Sequence, residues 1–414
     1  MSGLQPVRGT RDILPDEQRR HRHIVEAARE VAERYGFAEI ATPIFEFAEV
    51  FRRTLGETSD VVTKEMYTFT DRGGEEITLR PEYTAGIARA FISGGLMQQL
   101  PLKFFGHGPM FRYERPQKGR LRQFHQLDVE ILGVPEPLAD IEVIAVGTDI
   151  LAALGVLDKT TLELNTLGDP ASRDAYRRVL IGYFGGHRTK LSEDSRLRLE
   201  RNPLRILDSK DQGDRELIAG APLMSDHLNQ QSADHFTRVR EGLDALGIAY
   251  HLEPTLVRGL DYYTHTAFEF VTGELGAQGA VIAGGRYDGL IEAMGGPPTA
   301  GTGWAGGIER LAMMIGGVAE APRPIVVVPL GETAESRALP LCRELRQAGL
   351  VIELTFRGNL SRRLKAANKL NGRAAVLIGE DELAREVATV RDLDSGAQTE
   401  VALAALAAHL ARYR

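Results

Sequence analysis

Cysteine is almost missing from this chain of 414 residues, with Cys342 the only one. An internal disulfide and a cysteine-built zinc site are therefore excluded, and a reducing compartment, the cytoplasm by default, is expected. Long apolar runs are missing too. No segment offers the roughly 18 uninterrupted apolar residues of a membrane-spanning helix, and the opening MSGLQPVRGTRD lacks the apolar core of a signal peptide. A soluble protein with no membrane partner is expected. Excess positive charge is lacking as well: the net charge is −7, which argues against a protein that coats nucleic acid indiscriminately, because neutralising phosphates needs clustered lysine and arginine.

Two familiar nucleotide and hydrolase signatures are also absent. There is no GxxxxGK[ST] phosphate loop and no GxSxG nucleophile motif. GTGWAGG at 301–307 does match GxGxxG, but GGPPTA before it is no β-strand and the motif opens no βαβ unit, so a dinucleotide fingerprint is rejected. A glycine-lined approach to Arg310 survives. Ile308, Leu311 and Ile315 can anchor the following helix, leaving Arg310 in its first turn, for an anion or for a purely structural contact. None of the ten histidines has metal-ligand spacing with convincing partners. No protein-bound metal is expected, and His21 and His23 are expected to be exposed on the first helix.

What is present divides the chain. A hydrophobic content of 43% can bury a substantial core, but 414 residues exceed what one core usually holds, so two or three domains are expected. Residues 16–35 carry Ile24, Ala27, Val31 and Ala32 at helical spacing, with Gly36 as a stop. EIATPIFE reads as extended, and Pro43, lacking a ladder donor, favours an edge or an interface. From Lys103 to Gly133 the pattern is strand, polar loop, strand: a β-hairpin with a long tip. Residues 168–248 are charged, helix-compatible segments broken by glycine and proline, read as a helical insertion. Strands resume through TAFEFVT to about residue 320. After a linker at EAPRP, the segment 324–414 alternates as βαβαβ, a small α/β domain with a mainly parallel sheet. It carries 13 basic against 11 acidic residues, while the rest carries 37 against 46. Between Leu354 and Gly379 there is no acidic residue, whereas Arg357, Arg362, Arg363, Lys365, Lys369 and Arg373 fall there. Such a run is either a solvated helix face or a partner surface.

Period-two alternation sends Arg112 and Glu114 to one face of the hairpin, away from Phe111 and Tyr113. On the returning strand Phe124, Gln126, Asp128 and Glu130 share a face, opposite Leu127, Val129 and Ile131. The hairpin thus has a polar floor. At the tip, Arg115, Lys118, Arg120 and Arg122 suit a loop that closes on phosphates, because guanidinium forks fit phosphate oxygens.

Taken in order, RGTRD, TLRPEYTAG (78–86), FRYERPQKGRLRQFHQLDVEILG, LVRGLDYY, AGGRYDGL and GIERL resemble the sequence blocks of the histidyl-tRNA synthetases, class II aminoacyl-tRNA synthetases, over essentially the whole chain. The resemblance implies an α+β catalytic domain with an antiparallel sheet (1–167 and 249–320), a helical insertion (168–248) and a C-terminal α/β anticodon-binding domain (324–414). It implies histidine activation by ATP, with Mg²⁺ accompanying the nucleotide, and transfer to tRNA(His) by a homodimer in which the first helix and Pro43 form the interface. Arg258 and Arg112 are then the catalytic cations, on either side of the α-phosphate. Glu82, Thr84 and Gln126 match the group that binds the α-amino end of histidine, and Glu130 and Tyr263, beside Tyr262, the imidazole readers. Glycines 284 and 285 would let backbone approach the ring. Phe124 and Arg310 would cover the two adenine faces, Glu114 its amino edge, and Arg120 the terminal phosphates. Arg115, Gln117, Arg362, Arg363 and Lys365 are expected to touch tRNA, mainly at phosphates. Tyr83 and Trp304 depart from the blocks by being bulky, which puts the local pocket shape in doubt. The competing reading is the regulatory subunit of ATP phosphoribosyltransferase, which resembles the same core and binds histidine without catalysis, but would lack residues 324–414.

Overall fold

The computed structural model describes residues 4–55, 61–117, 119–258, 262–276 and 279–413. Lys118 of the hairpin tip and Gly259, Leu260 and Asp261 of the LVRGLDYY block lie outside them. The chain divides into two units, Met1–Val318 and Ala319–Arg414. No helix among the described residues is long and apolar enough to cross a membrane.

The first unit opens with α1 (Pro15–Arg34), which has proline and two acids in its first turn, where free N–H groups and the helix dipole favour them. Its buried stripe is His21, Ile24, Ala28, Val31 and Ala32. Those spacings fall on one helix face. His21 is therefore not at the surface as its polarity suggested: it extends the stripe one turn toward the N-terminus and is 5% exposed, whereas His23 is exposed. Strand β1 (Ala38–Glu39) follows, then Pro43, then β2 (Phe45–Phe47), which with β3 (Tyr67–Thr70) and β4 (Glu76–Leu79) forms a three-stranded sheet in the order β2-β4-β3. Helix α2 (Ala48–Leu55) lies between β2 and β3, and α3 (Thr84–Ser93) follows β4.

The main sheet is built around the hairpin β5 (Leu102–Phe111) and β6 (Gln123–Leu132), paired from Leu102 with Leu132 to Phe111 with Gln123. After α4 (Pro137–Ala153) come β7 (Thr161–Thr166), the helices α5 (Pro170–Gly186), α6 (Glu193–Arg201), α7 (Gln212–Ile218) and α8 (Gln230–Ala245), and β8 (His251–Leu252). Then β9 (Thr264–Val271), β10 (Ala280–Arg286), α9 (Leu290–Ala293), β11 (Gly301–Gly307) and α10 (Ile308–Met314) complete the unit. The eight strands run in the order β1-β5-β6-β11-β10-β9-β7-β8. The six inner strands are antiparallel, and the edge pairs β1–β5 and β7–β8 are parallel.

Leu127, Val129 and Ile131 of β6, Phe268 and Phe270 of β9 and Trp304 of β11 point to one side, where Ile24, Val31, Val143, Ile144, Val239 and Leu311 complete a buried core. Trp304 is 1% exposed and its indole N–H donates to Val143 O at 2.8 Å. Its bulk thus belongs to this core, on the face away from Gly303 and Ala305. Tyr83 is likewise 1% exposed; its hydroxyl donates to Ile40 O at 3.1 Å and its ring fills the space beneath Gly106.

The segment from α5 to the turn before α8 has its own core of Tyr176, Leu180, Phe184, Leu199, Ile206, Ile218 and Met224. At its centre the fully buried Asp214 accepts from the hydroxyls of Ser192, Ser195 and Ser209 at 2.7, 2.6 and 2.6 Å. α8 packs elsewhere: Val239 and Leu243 join the main core, against α4.

The second unit has a five-stranded sheet of β12 (Ile325–Pro329), β13 (Ile352–Leu354), β14 (Ala374–Ile378), β15 (Val387–Asp392) and β16 (Gln398–Ala402), in the order β13-β12-β14-β15-β16. The βαβαβ pattern supplies three parallel strands through α11 (Glu332–Gln347) and α12 (Leu360–Lys369). The hairpin β15–β16 adds two antiparallel strands that the sequence reading did not include, so the sheet is mixed rather than mainly parallel. Cys342 is buried in its core.

Candidate active site

The face of the main sheet opposite the aliphatic core is polar and hollow. Sheet register places Gly303, Ala305 and Gly307 of β11 beside Glu130, Asp128 and Gln126 of β6, and Gly285 and Ala283 of β10 beside Gly303 and Ala305. Small residues in adjacent rows leave room that larger side chains would fill. A Cβ on Gly303 would collide with the Glu130 carboxylate, and one on Gly285 with Thr266 O, 3.0 Å from the Tyr263 ring. GTGWAGG is therefore a central strand whose glycines make space, and no phosphate loop.

Above this floor lies a cavity of about 420 Å³. Glu82, Thr84, Arg112, Glu114, Arg120, Phe124, Gln126, Arg258, Tyr262, Tyr263 and Arg310 all line it. The hairpin supplies one wall. Arg112 follows β5, donates from Nε to Pro81 O at 2.8 Å, and lays its guanidinium 5.3 Å from the Phe124 ring centre. Arg120 reaches back from the tip to Glu114 at 2.8 Å. The tip also meets the far wall, because Arg310 Nε donates to Gly119 O at 3.4 Å while its Nη1 donates to Ala280 O. Arg122, by contrast, stacks on Tyr113 at 3.7 Å and takes its place in the loop against Gly9, outside the cavity.

Arg258 enters from the other side. Its guanidinium sits 5.0 Å from the Tyr263 ring centre and pairs with Glu269, while Nε is buried with no hydrogen-bond partner among the described residues. Burial opposes its charge, but Tyr263 and Glu269 outweigh that and raise its pKa. It is locked in the cationic form.

Acidic groups gather at the floor. Burial raises the pKa of Glu82, whose carboxylate accepts from Ala85 N at 2.8 Å, and pushes Asp128 well above the usual range. Burial also lifts Glu130 to about 8. Its two oxygens accept from the Thr84 hydroxyl at 2.5 Å and from the Tyr287 hydroxyl. Glu130 has no exposed surface and lies behind the cavity wall, joined to it by Thr84. Gln126 Oε1 and both Asp128 oxygens are buried acceptors without a donor among the described residues. Unfilled buried acceptors of this kind favour a ligand that donates.

Several expected residues lie apart from the cavity. Arg115 and Gln117 are exposed on the tip, and Arg362 and Lys365 are exposed on α12 of the second unit. Arg363 departs from the expected RNA face. It is 5% exposed, and its guanidinium is engaged by Gly358 O at 2.7 Å, Thr355 O at 3.1 Å and Glu335 at 2.6 Å, because its position on α12 faces the sheet.

Several residues at or next to the cavity were missed, Glu65 and Glu309 of its lining among them. Glu269 alternates with Phe268 and Phe270 along β9, so period two could have found it. Tyr287 clamps Glu130, and only its proximity to Gly284 and Gly285 hinted at that. Arg205 and Asp208, between α6 and α7, line the cavity, and Arg205 Nη1 donates to Arg258 O at 3.1 Å. Arg286 beside Tyr287 is structural: fully buried, it bonds Asp140 at 2.7 Å and the carbonyls of Val134 and Glu136 at the start of α4.

Comparison with known proteins gives the family. The histidyl-tRNA synthetase family model matches residues 9–168 and 191–311, and an anticodon-binding domain model matches 324–413. The histidine–tRNA ligase of Rhodospirillum rubrum is 62% identical over 414 residues, all of both chains. That of Gluconacetobacter diazotrophicus is 58% identical over 411 residues, 99% of each. The crystal structure of apo S. aureus histidyl-tRNA synthetase superposes with a TM-score of 0.82 at 35% identity, covering 98% of this chain and 99% of that one. This chain belongs to the histidyl-tRNA synthetase family.

Proposed function

We propose that this protein is a histidine–tRNA ligase: it joins L-histidine to ATP as histidyl-adenylate, releasing pyrophosphate, and passes the histidyl group to tRNA(His), releasing AMP. The observation that carries the reading is that Arg112 and Arg258, distant in sequence, line one cavity with Phe124 and Arg310 around a floor of unfilled acceptors. The regulatory-subunit reading is not favoured, because the chain carries the anticodon-binding domain and full-length identity to ligases.

In the first step a histidine carboxylate oxygen attacks the α-phosphorus of ATP, and the bond to the bridging oxygen of pyrophosphate breaks. Negative charge accumulates between two anions. Fixed cations there stabilise the transition state most, since they need no reorganisation. Arg258 meets the carboxylate and α-phosphate from one side, exchanging Glu269 for substrate, and Arg112 holds the phosphate from the other. Phe124 and Arg310 cover the adenine, Glu114 takes its amino edge, and Arg120 turns to the terminal phosphates. Mg²⁺ would accompany the nucleotide and neutralise part of the phosphate charge, and Glu65 of the cavity wall would be the carboxylate to hold it. In the second step a terminal ribose hydroxyl of tRNA attacks the acyl carbon and AMP departs.

Histidine is selected below. Glu82, Thr84, Gln126 and the orphaned Asp128 accept from the α-ammonium. Tyr263, beside Tyr262, packs on the imidazole, and Glu130 accepts its N–H. Thr84 and Tyr287 each use one lone pair of the Glu130 carboxylate, leaving others for the substrate. A side chain that offers no such N–H leaves a buried acceptor unpaired, which can discriminate by about 10⁴ to 10⁵.

For tRNA, Arg115 and Gln117 on the tip face the acceptor end, and Arg362 and Lys365 on α12 face anticodon phosphates. Phe356, 82% exposed beside Arg357 in the second unit, offers a ring for base stacking. A cytoplasmic homodimer fits the same reading. Phe45, Phe47 and Phe69 expose 58, 56 and 48% on the three-stranded sheet next to Pro43, apolar surface of the kind that subunit contacts cover. Histidine-dependent pyrophosphate exchange and tRNA charging test the function, and sedimentation tests the dimer.

A further inference from the structure

We propose that His21, His125 and Glu309 form a binding site for a first-row transition dication of the Zn²⁺ type, at the cavity wall, which Glu309 itself lines. The three come from α1, β6 and the first turn of α10. Their ligand atoms lie within 4.8 Å of one another. Three atoms so spaced share a point no more than about 2.8 Å from each, so closing to Zn–N and Zn–O bonds of about 2.0 to 2.2 Å takes shifts below about 1 Å. Two imidazoles and one carboxylate are borderline-to-hard ligands that suit zinc and its neighbours better than Mg²⁺ or Ca²⁺, which prefer oxygen.

The site is built rather than incidental. His21 is 95% buried, inferred from its 5% exposure, and its Nε2 has no hydrogen-bond partner among the described residues. An imidazole nitrogen buried without a partner is costly unless something meets it. Across from it, His125 Nδ1 lies 2.8 Å from Glu309 Oε1, and the rings of His21 and His125 meet edge to face at 5.5 Å. Glu309 is further held by the His125 backbone N–H at 2.9 Å, an outer contact that orients a ligating carboxylate. Water would complete a tetrahedral set.

The position gives the ion a purpose, a step that rests on the proposed ATP site. His125 follows Phe124 in β6, and Glu309 precedes Arg310 in α10, so the ion would tie α1 to the two elements that carry the adenine clamp. It would set the spacing of that clamp.

The test uses tag-free, full-length protein stripped with a chelator, dialysed, and titrated with Co²⁺ as a spectroscopic probe and with Zn²⁺ in competition. One equivalent of Co²⁺ giving a tetrahedral-type visible band, displaced by Zn²⁺ and accompanied by a higher melting temperature, is expected. His21→Gln and Glu309→Gln should lose the band and weaken binding about 100-fold or more. If either fails to fold, His125→Gln, at a partly exposed position, decides in its place. No stoichiometric metal in the wild type, or binding equally tight in the variants, overturns the site. Because the readout is metal binding, failure of the ligase reading leaves it separately testable.

Discussion

Glu130→Gln probes the buried acid at the floor of the site. In the wild type the Glu130 carboxyl titrates at about 8 against an ordinary 4.5 because burial penalises its charge. A carboxyl raised in the folded state keeps its full contribution to stability below the unfolded value. That contribution falls as the unfolded chain ionises first, and is lost once the pH passes the folded value. Between pH 4.5 and 8 the wild type should therefore lose stability relative to a neutral isostere. At pH 7 the gap is 2.5 units, or about 3 kcal/mol at about 1.4 kcal/mol per unit. The amide keeps the shape, and the hydroxyls of Thr84 and Tyr287 can each rotate to donate or accept. Urea unfolding of both proteins at pH 5, 6, 7 and 8 measures the difference, which should widen steadily in favour of the variant. The same substitution puts an amide in place of the carboxyl that accepts the imidazole N–H, a loss of about 0.5 to 1.5 kcal/mol for a hydrogen bond between neutral groups, so KM for histidine should rise about 2- to 10-fold in pyrophosphate exchange. Parallel stability profiles would refute the burial argument, and an unchanged KM would refute the role in selection.

Three further perturbations separate the parts of the account. Arg258→Ala should fold, yet lose about 10² to 10³ in the rate of adenylate formation, since a fixed donor at the reacting centre contributes about 3 to 4 kcal/mol; a single-turnover rate matching the wild type removes Arg258 from the chemistry. Asp214, whose burial is outweighed by the bonds from Ser195, Ser209 and Ser192, has its pKa lowered from 3.8 to about 2. This depressed carboxyl gives its full stabilisation, about 2 kcal/mol, above 3.8 and loses it as the pH falls through about 2. Asp214→Asn should accordingly lower the unfolding midpoint at pH 7, and a midpoint unmoved there would mean the serine cluster contributes nothing. Phe356→Ala should weaken tRNA binding by about 1 to 3 kcal/mol, and Lys365→Ala should reduce the salt slope by about one, with histidine-dependent pyrophosphate exchange intact in both; unchanged tRNA affinity and slope would remove this surface from recognition.

Much of the frame could be read from alternation. The hairpin of β5 and β6 follows from period two, and so does the split between Leu127, Val129 and Ile131 on the core side and Gln126 and Glu130 on the other. Most of the cavity wall was legible because its cations sit in distinctive blocks, and the structure gathers them as side chains of one cavity. Contacts set by tertiary packing were less accessible. Tyr287 meets Glu130 only because β10 and β6 are separated by one glycine-bearing strand. Arg363 looks like its exposed neighbours in sequence, but the helical turn points it inward to Thr355 and Glu335. His21 was misjudged through its polarity, although its spacing from Ile24 and Ala28 already placed it on the buried face. Burial of a polar residue depends on the partners it finds, and those are remote in sequence.

The most direct test of the central claim, that two cations meet around one phosphorus atom next to a histidine-selective acid, is ATP–pyrophosphate exchange driven by each of the twenty amino acids in turn. Exchange with histidine and with none of the others at comparable concentration is the predicted result. Exchange with a second amino acid at a similar rate, or no exchange with histidine, would contradict it.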